Sequence, residues 1–188
     1  MSGHFEALPG GGAAVRLDEV EISILRSLAV QMLELIGPGD EPGPEDDPLA
    51  ALFQDGPSEK PSDPALARLF PDAYGDGDEE LRAASAEFRR FTENDLRTRK
   101  REDALAVVRG LDALPAGGRL ELSAEDCHRW LGALNDLRLT IGTRLEVTDE
   151  DENGDLYRLP DSDPRKPMVM AYLWLGALQE TLVESLMP

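Results

Sequence analysis

The sequence predicts a mainly α fold, a helical bundle of four to five helices with a small N-terminal β-hairpin and acidic loops. Three observations predict it. Apolar residues recur at helical spacing in long segments, two short extended runs near the N-terminus flank a glycine-rich turn, and acidic residues concentrate in segments rich in proline and glycine. With 188 residues, 41% of them hydrophobic, the chain is long enough to fold as one domain over residues 1–188 without staples.

The first predicted element is a β-hairpin. The runs FEAL and AAVRL flank the turn PGGG, which glycine tolerates at low cost. Residues 119–122 alternate polar and apolar side chains after Gly117 and Gly118, so we expect them to add a third strand.

Two helical segments follow the hairpin. Asp18 is the expected cap of a helix over residues 19–36, and Gly37-Pro38 ends it. A second helical stretch covers residues 79–114, where Leu96 is the only apolar residue between Asn94 and Asp103. Either one long helix crosses solvent there, or the helix is broken.

The third helix has the clearest pattern. Ser123 and Asp126 fit a capping box, and the apolar stripe that follows consists of Trp130, Leu134, Leu137, Ile141 and Leu145. The fourth helix, from residue 166 to 187, is apolar nearly all round over MVMAYLWLGAL. That composition predicts the buried centre of the fold.

The acidity of the chain belongs to its loops. The formal net charge is −19, and residues 37–64, 71–80 and 149–163 together hold 20 of the 38 acidic residues. Residues 37–64 form an acidic, Pro/Gly-rich insertion whose composition predicts mobility. Its short apolar island, Leu49, Leu52 and Phe53, would dock on the chain's own core, the favoured interpretation, or on a partner.

Composition excludes several classes of protein. One Cys and two His leave no disulfide within the chain and no multi-ligand zinc site of the usual kinds. The longest apolar stretch, residues 168–178, is too short for a membrane span, and no signal peptide is evident. We therefore expect a soluble cytoplasmic protein. Motifs of hydrolases, nucleotide-binding loops and metalloproteases are absent, which predicts a non-enzymatic protein without a cofactor.

Two short motifs invite a chemical interpretation that we do not favour. Asp149, Asp151 and Asn153 precede Gly154 as in the first half of a calcium-binding EF-hand loop, but Pro160 occupies the position of the essential Glu. An acidic loop explains the same residues, and no metal is predicted. Cys127 is a redox candidate, although its place beside the apolar stripe favours a buried, inert thiol over a reactive one.

One cluster of basic residues is a candidate partner-binding site. Its members are Arg89, Arg90, Arg97, Arg99, Lys100 and Arg101. A solvated helix face neutralised by the protein's own acidic loops is the favoured interpretation, and a site for an acidic partner segment is the next. Direct DNA binding is disfavoured because a net charge of −19 opposes approach to phosphate.

Several segments together resemble a known family. They are LDEVEISILRSL (17–28), LARLFPDAY (66–74), FRRFTENDLR (88–97), LNDLRLTIGTRL (134–145) and YLWLGALQE (172–180). The chain is similar to the actinobacterial oxidative stress transcriptional regulator (AosR) family, first described as a domain of unknown function. The resemblance covers nearly the whole chain except residues 37–64.

The resemblance implies a regulator of transcription under oxidative stress that contacts a sigma factor or RNA polymerase. The alternative is an adaptor or accessory protein of Clp-type proteolysis, which the gene neighbourhood of the family suggests. A disulfide switch within the chain needs two thiols, and Cys127 is the only one. A further hypothesis comes from charge alone: residues 37–64, with a net charge of −7, would compete with DNA for a basic partner surface, or would only keep the protein soluble.

Overall fold

The computed structural model describes residues 3–38, 56–75, 77–114, 116–148 and 154–187. Within them the elements are β1 (Phe5–Ala7), β2 (Ala13–Leu17), α1 (Glu19–Ile36), α2 (Pro64–Leu69), α3 (Glu79–Asp112), β3 (Gly118–Leu122), α4 (Ala124–Arg144) and α5 (Lys166–Leu186). A 3-10 turn, Asp155–Arg158, precedes α5. The predicted mainly α class is confirmed.

The three strands form one antiparallel sheet in the order β1-β2-β3. Phe5 pairs with Val15, and Val15 pairs with Leu120. The turn between β1 and β2 has φ angles of 94°, 97° and 93° at its three successive glycines, which L side chains rarely adopt. The sheet packs on the helices through Phe5, whose ring meets Trp130 edge-on at a centroid distance of 6.1 Å. Hairpin and third strand are both confirmed.

Helix α1 begins and ends where its sequence predicts. The Asp18 carboxylate accepts a hydrogen bond from the Glu21 N–H at 2.8 Å, and Glu21 accepts one from the Asp18 N–H at 3.0 Å. This capping box satisfies two N–H groups that the first turn leaves unpaired. Gly37, at φ 70°, ends the helix.

Helix α3 is continuous over Glu79–Asp112, which resolves the alternative that the sequence left open. Its polar middle does not cross solvent. It packs against α1 on one side and α4 on another, and Arg97, Lys100 and Arg101 within it are partly buried.

Helix α4, rather than the last helix, lies at the centre of the fold. It packs against α1, α2, α3 and α5, and the predicted apolar stripe from Trp130 to Leu145 is buried. Helix α5 buries Trp174, Leu175, Leu178 and Leu182 on one side. The prediction that α5 is the buried centre is wrong, because the other side of α5 exposes Met168, Met170 and Leu173.

The acidic insertion is described only at its ends. Residues 39–55, with Leu49, Leu52 and Phe53, lie outside the described residues. Where the description resumes, the Gly56 N–H donates to the carbonyl of Arg90 on α3 at 2.9 Å. Asp63 then caps α2, which the sequence did not predict as a helix, and Leu69 and Phe70 enter the core. None of the helices in the described ranges combines the length and apolarity that a membrane crossing requires.

Candidate protein-binding face on helix α3

Arg89 is the first of the basic residues predicted as a partner-binding site, and it is buried in the structure. Its guanidinium donates to the Glu93 carboxylate one turn along α3, to Asp72 at 2.8 Å and to the backbone carbonyl of Phe70 at 3.0 Å. Only 5% of Arg89 and 4% of Glu93 is exposed. A carboxylate and a guanidinium that are both removed from water stabilise each other only when their hydrogen bonds are satisfied, as they are here.

Arg97 joins this group from the next turn of α3. It donates to Glu93 at 2.7 Å, and its guanidinium lies 4.4 Å from the centroid of the Phe70 ring. Asp72, Arg89, Glu93 and Arg97 are called the buried charge cluster below. The hydrogen bond from Arg89 lowers the pKa of Asp72 below its ordinary value, so this carboxyl is ionised at neutral pH.

Arg97 and Arg101 also cap the end of another helix. Arg97 donates to the carbonyl of Ile36, and Arg101 donates to the carbonyl of Gly37 at 2.7 Å. The last carbonyls of α1 have no partner within that helix, and α1 carries no basic residue in its own last turn. Side chains of α3 therefore supply the cationic C-terminal cap that α1 lacks.

Lys100 makes a further internal ion pair, because its ammonium lies 2.7 Å from Asp136 on α4, a residue that is 2% exposed. The remaining two bases, Arg90 and Arg99, are exposed. The prediction of a solvated helix face is therefore wrong for Arg89, Arg97, Lys100 and Arg101. Together their charges tie α3 to α1, to α4 and to the Phe70–Asp72 segment.

The solvent-exposed side of the same helix carries three large apolar residues among its charged ones. Leu81, Phe88 and Phe91 are spaced by seven and three residues, which places them on one side of α3. They are called the outer stripe below. Phe88 is 49% exposed and Phe91 is 66% exposed. Arg90 lies beside the stripe, with its guanidinium 5.6 Å from the centroid of the Phe91 ring.

Tyr74 extends the outer stripe beyond the helix. Its ring meets Phe88 edge-on at a centroid distance of 6.4 Å, and Tyr74 is 45% exposed. The backbone of Tyr74 is fixed to α3 twice, because its N–H donates to the Ser85 hydroxyl oxygen and its carbonyl accepts from that hydroxyl. Three aromatic rings are thus held on one surface. Sequence reasoning did not single out Phe88 and Phe91 as site residues, and their only signal is an apolar pair three positions apart in a helical segment.

Cys127, the redox candidate, is fully buried at the start of α4. Burial raises the pKa of the Cys127 thiol, which disfavours the reactive thiolate. The buried interpretation is confirmed.

The weak calcium candidates Asp149, Asp151 and Asn153 lie outside the described residues. Gly154, which follows them, has a φ of 64°. Within the described ranges, no three His, Cys, Asp or Glu side chains come close enough together to hold a metal ion.

Sequence comparison relates nearly the whole chain to known proteins. The profile of a family described as a domain of unknown function, DUF2017, matches residues 2–186. The chain is 35% identical over 182 residues to a Mycobacterium tuberculosis protein named oxidative stress regulator AosR, covering 89% of this chain and 78% of that protein. A Mycobacterium bovis protein of the same name matches equally.

A Mycobacterium leprae relative is 32% identical over 178 residues, covering 89% of this chain and 79% of its own length. No solved structure matches the chain with significance. The sequence resemblance is therefore confirmed by sequence comparison.

Proposed function

Because this chain belongs to the DUF2017 family, we propose that it regulates the response to oxidative stress by contacting a sigma factor or RNA polymerase. Relatives at 35% identity carry the name oxidative stress regulator, which supports the regulatory role. The contact with the transcription machinery goes beyond what those names say. It rests on the surface of α3.

The observation that carries the proposal is the outer stripe. Aromatic residues and arginine are enriched at the centres of protein interfaces, where they supply most of the binding energy. Phe88, Phe91, Tyr74 and Arg90 form such a group on a protein in which only 5% of residues are aromatic.

The stripe is supported by a rigid base. The buried charge cluster fixes α3 to the segment at Phe70–Asp72, and Ser85 fixes Tyr74. A surface whose side chains are already in place loses less conformational entropy when a partner binds. The polar interior of α3 therefore contributes to binding indirectly, by holding the rings in position.

Charge favours a protein partner over a duplex. Four of the six basic residues of the predicted cluster on α3 are engaged inside the protein, and the chain carries a net charge of −19. Proteins that themselves bind nucleic acid present basic surfaces, to which an acidic chain is drawn over long range. The proposed role requires no catalysis.

The test is binding of purified sigma factors and core RNA polymerase from the source organism. Phe91→Ser should weaken the complex at least about tenfold, because a central aromatic anchor is removed. Val20→Ser is the matched control, since Val20 is 65% exposed on α1 and Phe91 is 66% exposed on α3. Circular dichroism of both variants checks the fold.

Binding is measured under reducing and under oxidising conditions. If no sigma factor and no polymerase subunit binds in either condition, the proposal is wrong. If Phe91→Ser and Val20→Ser weaken binding equally, the interface lies elsewhere on the protein.

A further inference from the structure

A cavity of about 590 Å³ lies between α2, α4 and the start of α5. Its polar lining includes Arg68, Asn135, Arg138, Thr143, Glu146 and Tyr172. The volume falls in the range of small-molecule sites, which combine apolar walls with a few polar groups. The cavity shares no residue with the outer stripe on α3.

Arg138 is the central polar group of this cavity. Its guanidinium lies 5.3 Å from the centroid of the Tyr172 ring, and its Nη1 donates to the Gln179 side-chain oxygen at 2.7 Å. Its Nε is buried without a hydrogen-bond partner. No carboxylate of the described residues forms an ion pair with Arg138, so this partly buried cation lacks an anion.

One helix-interior glycine makes room for the Tyr172 ring. A Cβ at Gly142 on α4 would lie 3.2 Å from Cε2 of Tyr172, which is closer than an ordinary contact. Glycine inside a helix is less stable than alanine. Helix α4 therefore gives up stability at Gly142, and the Tyr172 ring occupies the space.

The backbone conformation of Glu146, which also lines the cavity, is unusual for a residue other than glycine. Glu146 is the only described non-glycine residue with a positive φ, at 57°. It ends α4 in a Schellman motif, in which Val147 N–H donates to the Gly142 carbonyl at 2.9 Å. This position favours glycine, and strained residues of this kind cluster at functional sites.

We propose that this cavity binds a small organic anion, with a carboxylate or phosphate group on Arg68 and Arg138 and an apolar body against Leu139, Val147 and Tyr172. Gly142, the strained Glu146, Arg138 and Tyr172 all line this one space, and departures from local preference are expected at functional sites. Arg68 is exposed on α2, and Arg138 on α4 lines the same cavity. Glu146 is exposed, so water screens its charge from the ligand.

The probes are benzoate and phenyl phosphate, which carry the two anionic groups on the same ring, and benzamide, which is neutral. Binding is measured by isothermal titration and by NMR chemical-shift changes. We expect at least one anion to bind at millimolar concentration and benzamide to bind at least about tenfold more weakly, since a charge-assisted hydrogen bond is lost. Comparison of the two anions shows whether carboxylate or phosphate is preferred.

The variants separate the site from general charge effects. Arg138→Gln and the exposed Arg68→Gln should each weaken anion binding about tenfold. Arg109→Gln removes the same charge at an exposed position on α3 and should leave binding unchanged. Because Arg68 is exposed, its variant keeps the test valid if Arg138→Gln does not fold.

Three results would overturn the proposal. They are no binding of either anion, binding that survives both arginine substitutions, and equal binding of benzamide. A fourth result would also overturn it, and it concerns the acids from Asp149 to Glu152, which follow Thr148 in the sequence. If anions bind only after these acids are changed to amides, the arginines serve the chain's own acidic segment.

Discussion

Phe88 and Arg89 are neighbours in the chain, yet Phe88 is 49% exposed and Arg89 is 5% exposed. Adjacent helical residues point about 100° apart, so one side of α3 can face solvent while the next faces the core. Here Phe88 and Phe91 face solvent beside the exposed charges of Glu87 and Arg90, whereas Arg89 faces the protein. A surface helix usually buries its apolar residues and exposes its charges, and this part of α3 departs from that rule at both kinds of position.

The first prediction concerns the buried charge cluster. Arg89→Ala should lower the free energy of unfolding by about 3–5 kcal/mol, because Glu93 and Asp72 would remain as carboxylates without their main partner. The measurement is urea unfolding at neutral pH.

Arg90→Ala is the matched control for this change. It removes the same charge one position along the helix, where the side chain is exposed, and should cost about 0.5 kcal/mol. Similar losses for both variants would contradict a structural role that is specific to Arg89.

Separation along the sequence explains which parts of the fold could be predicted. The caps of α1 and α4, the glycine turn and the α4 stripe depend on residues a few positions apart, and each was predicted. The partners of the α3 bases come from elsewhere: Asp72 lies 17 residues before Arg89, and Gly37 lies 64 residues before Arg101. No local pattern encodes such pairs.

The candidate face lies on the helix where the basic site was predicted, but different residues form it. The segment around residues 88–101 was singled out for its bases, whereas the structure exposes its aromatic rings. The error for α5 has a similar cause. Helix α5 has more apolar residues than one buried side requires, so its composition alone predicts that it is buried all round. Only the packing of the helices shows that α4 occupies the centre.

The second prediction concerns pH and Asp136. Burial raises the pKa of Asp136 above its ordinary value, although Lys100 lies 2.7 Å away. A raised pKa means that the folded form binds the proton more tightly. The carboxyl therefore favours folding most below its unfolded pKa of about 3.9, and this contribution is lost as the pH rises through the folded pKa.

The measurement compares wild type with Asp136→Asn by urea unfolding between about pH 4 and pH 7. The stability of wild type relative to the variant should fall as the pH rises. Lys100 and Arg99 act in the opposite direction on Asp136, and burial also raises the pKa of nearby Asp103. A relative stability that rises with pH would show that the ion pair with Lys100 outweighs burial.

The third prediction concerns Cys127, the only thiol of the chain. A maleimide or disulfide reagent should label it only after unfolding, because the residue is fully buried and burial raises the pKa of its thiol. Ser58→Cys in a Cys127→Ser background supplies an exposed thiol as the positive control. Rapid labelling of native Cys127 would contradict its burial and revive direct thiol oxidation as the redox signal.

The last prediction concerns residues 40–54, which lie outside the described residues and contain five acids and no base. The acids Asp40, Glu41, Glu45, Asp46 and Asp47 are changed to amides, leaving the contact from Gly56 to Arg90 untouched. If the segment competes with DNA for a basic surface, partner affinity should drop and its salt dependence should flatten, since fewer ion pairs form. An unchanged affinity at low and high salt would assign the acids to solubility alone. A second variant with Ser at Leu49, Leu52 and Phe53 separates charge from burial: these apolar residues belong to the core only if its melting temperature falls sharply.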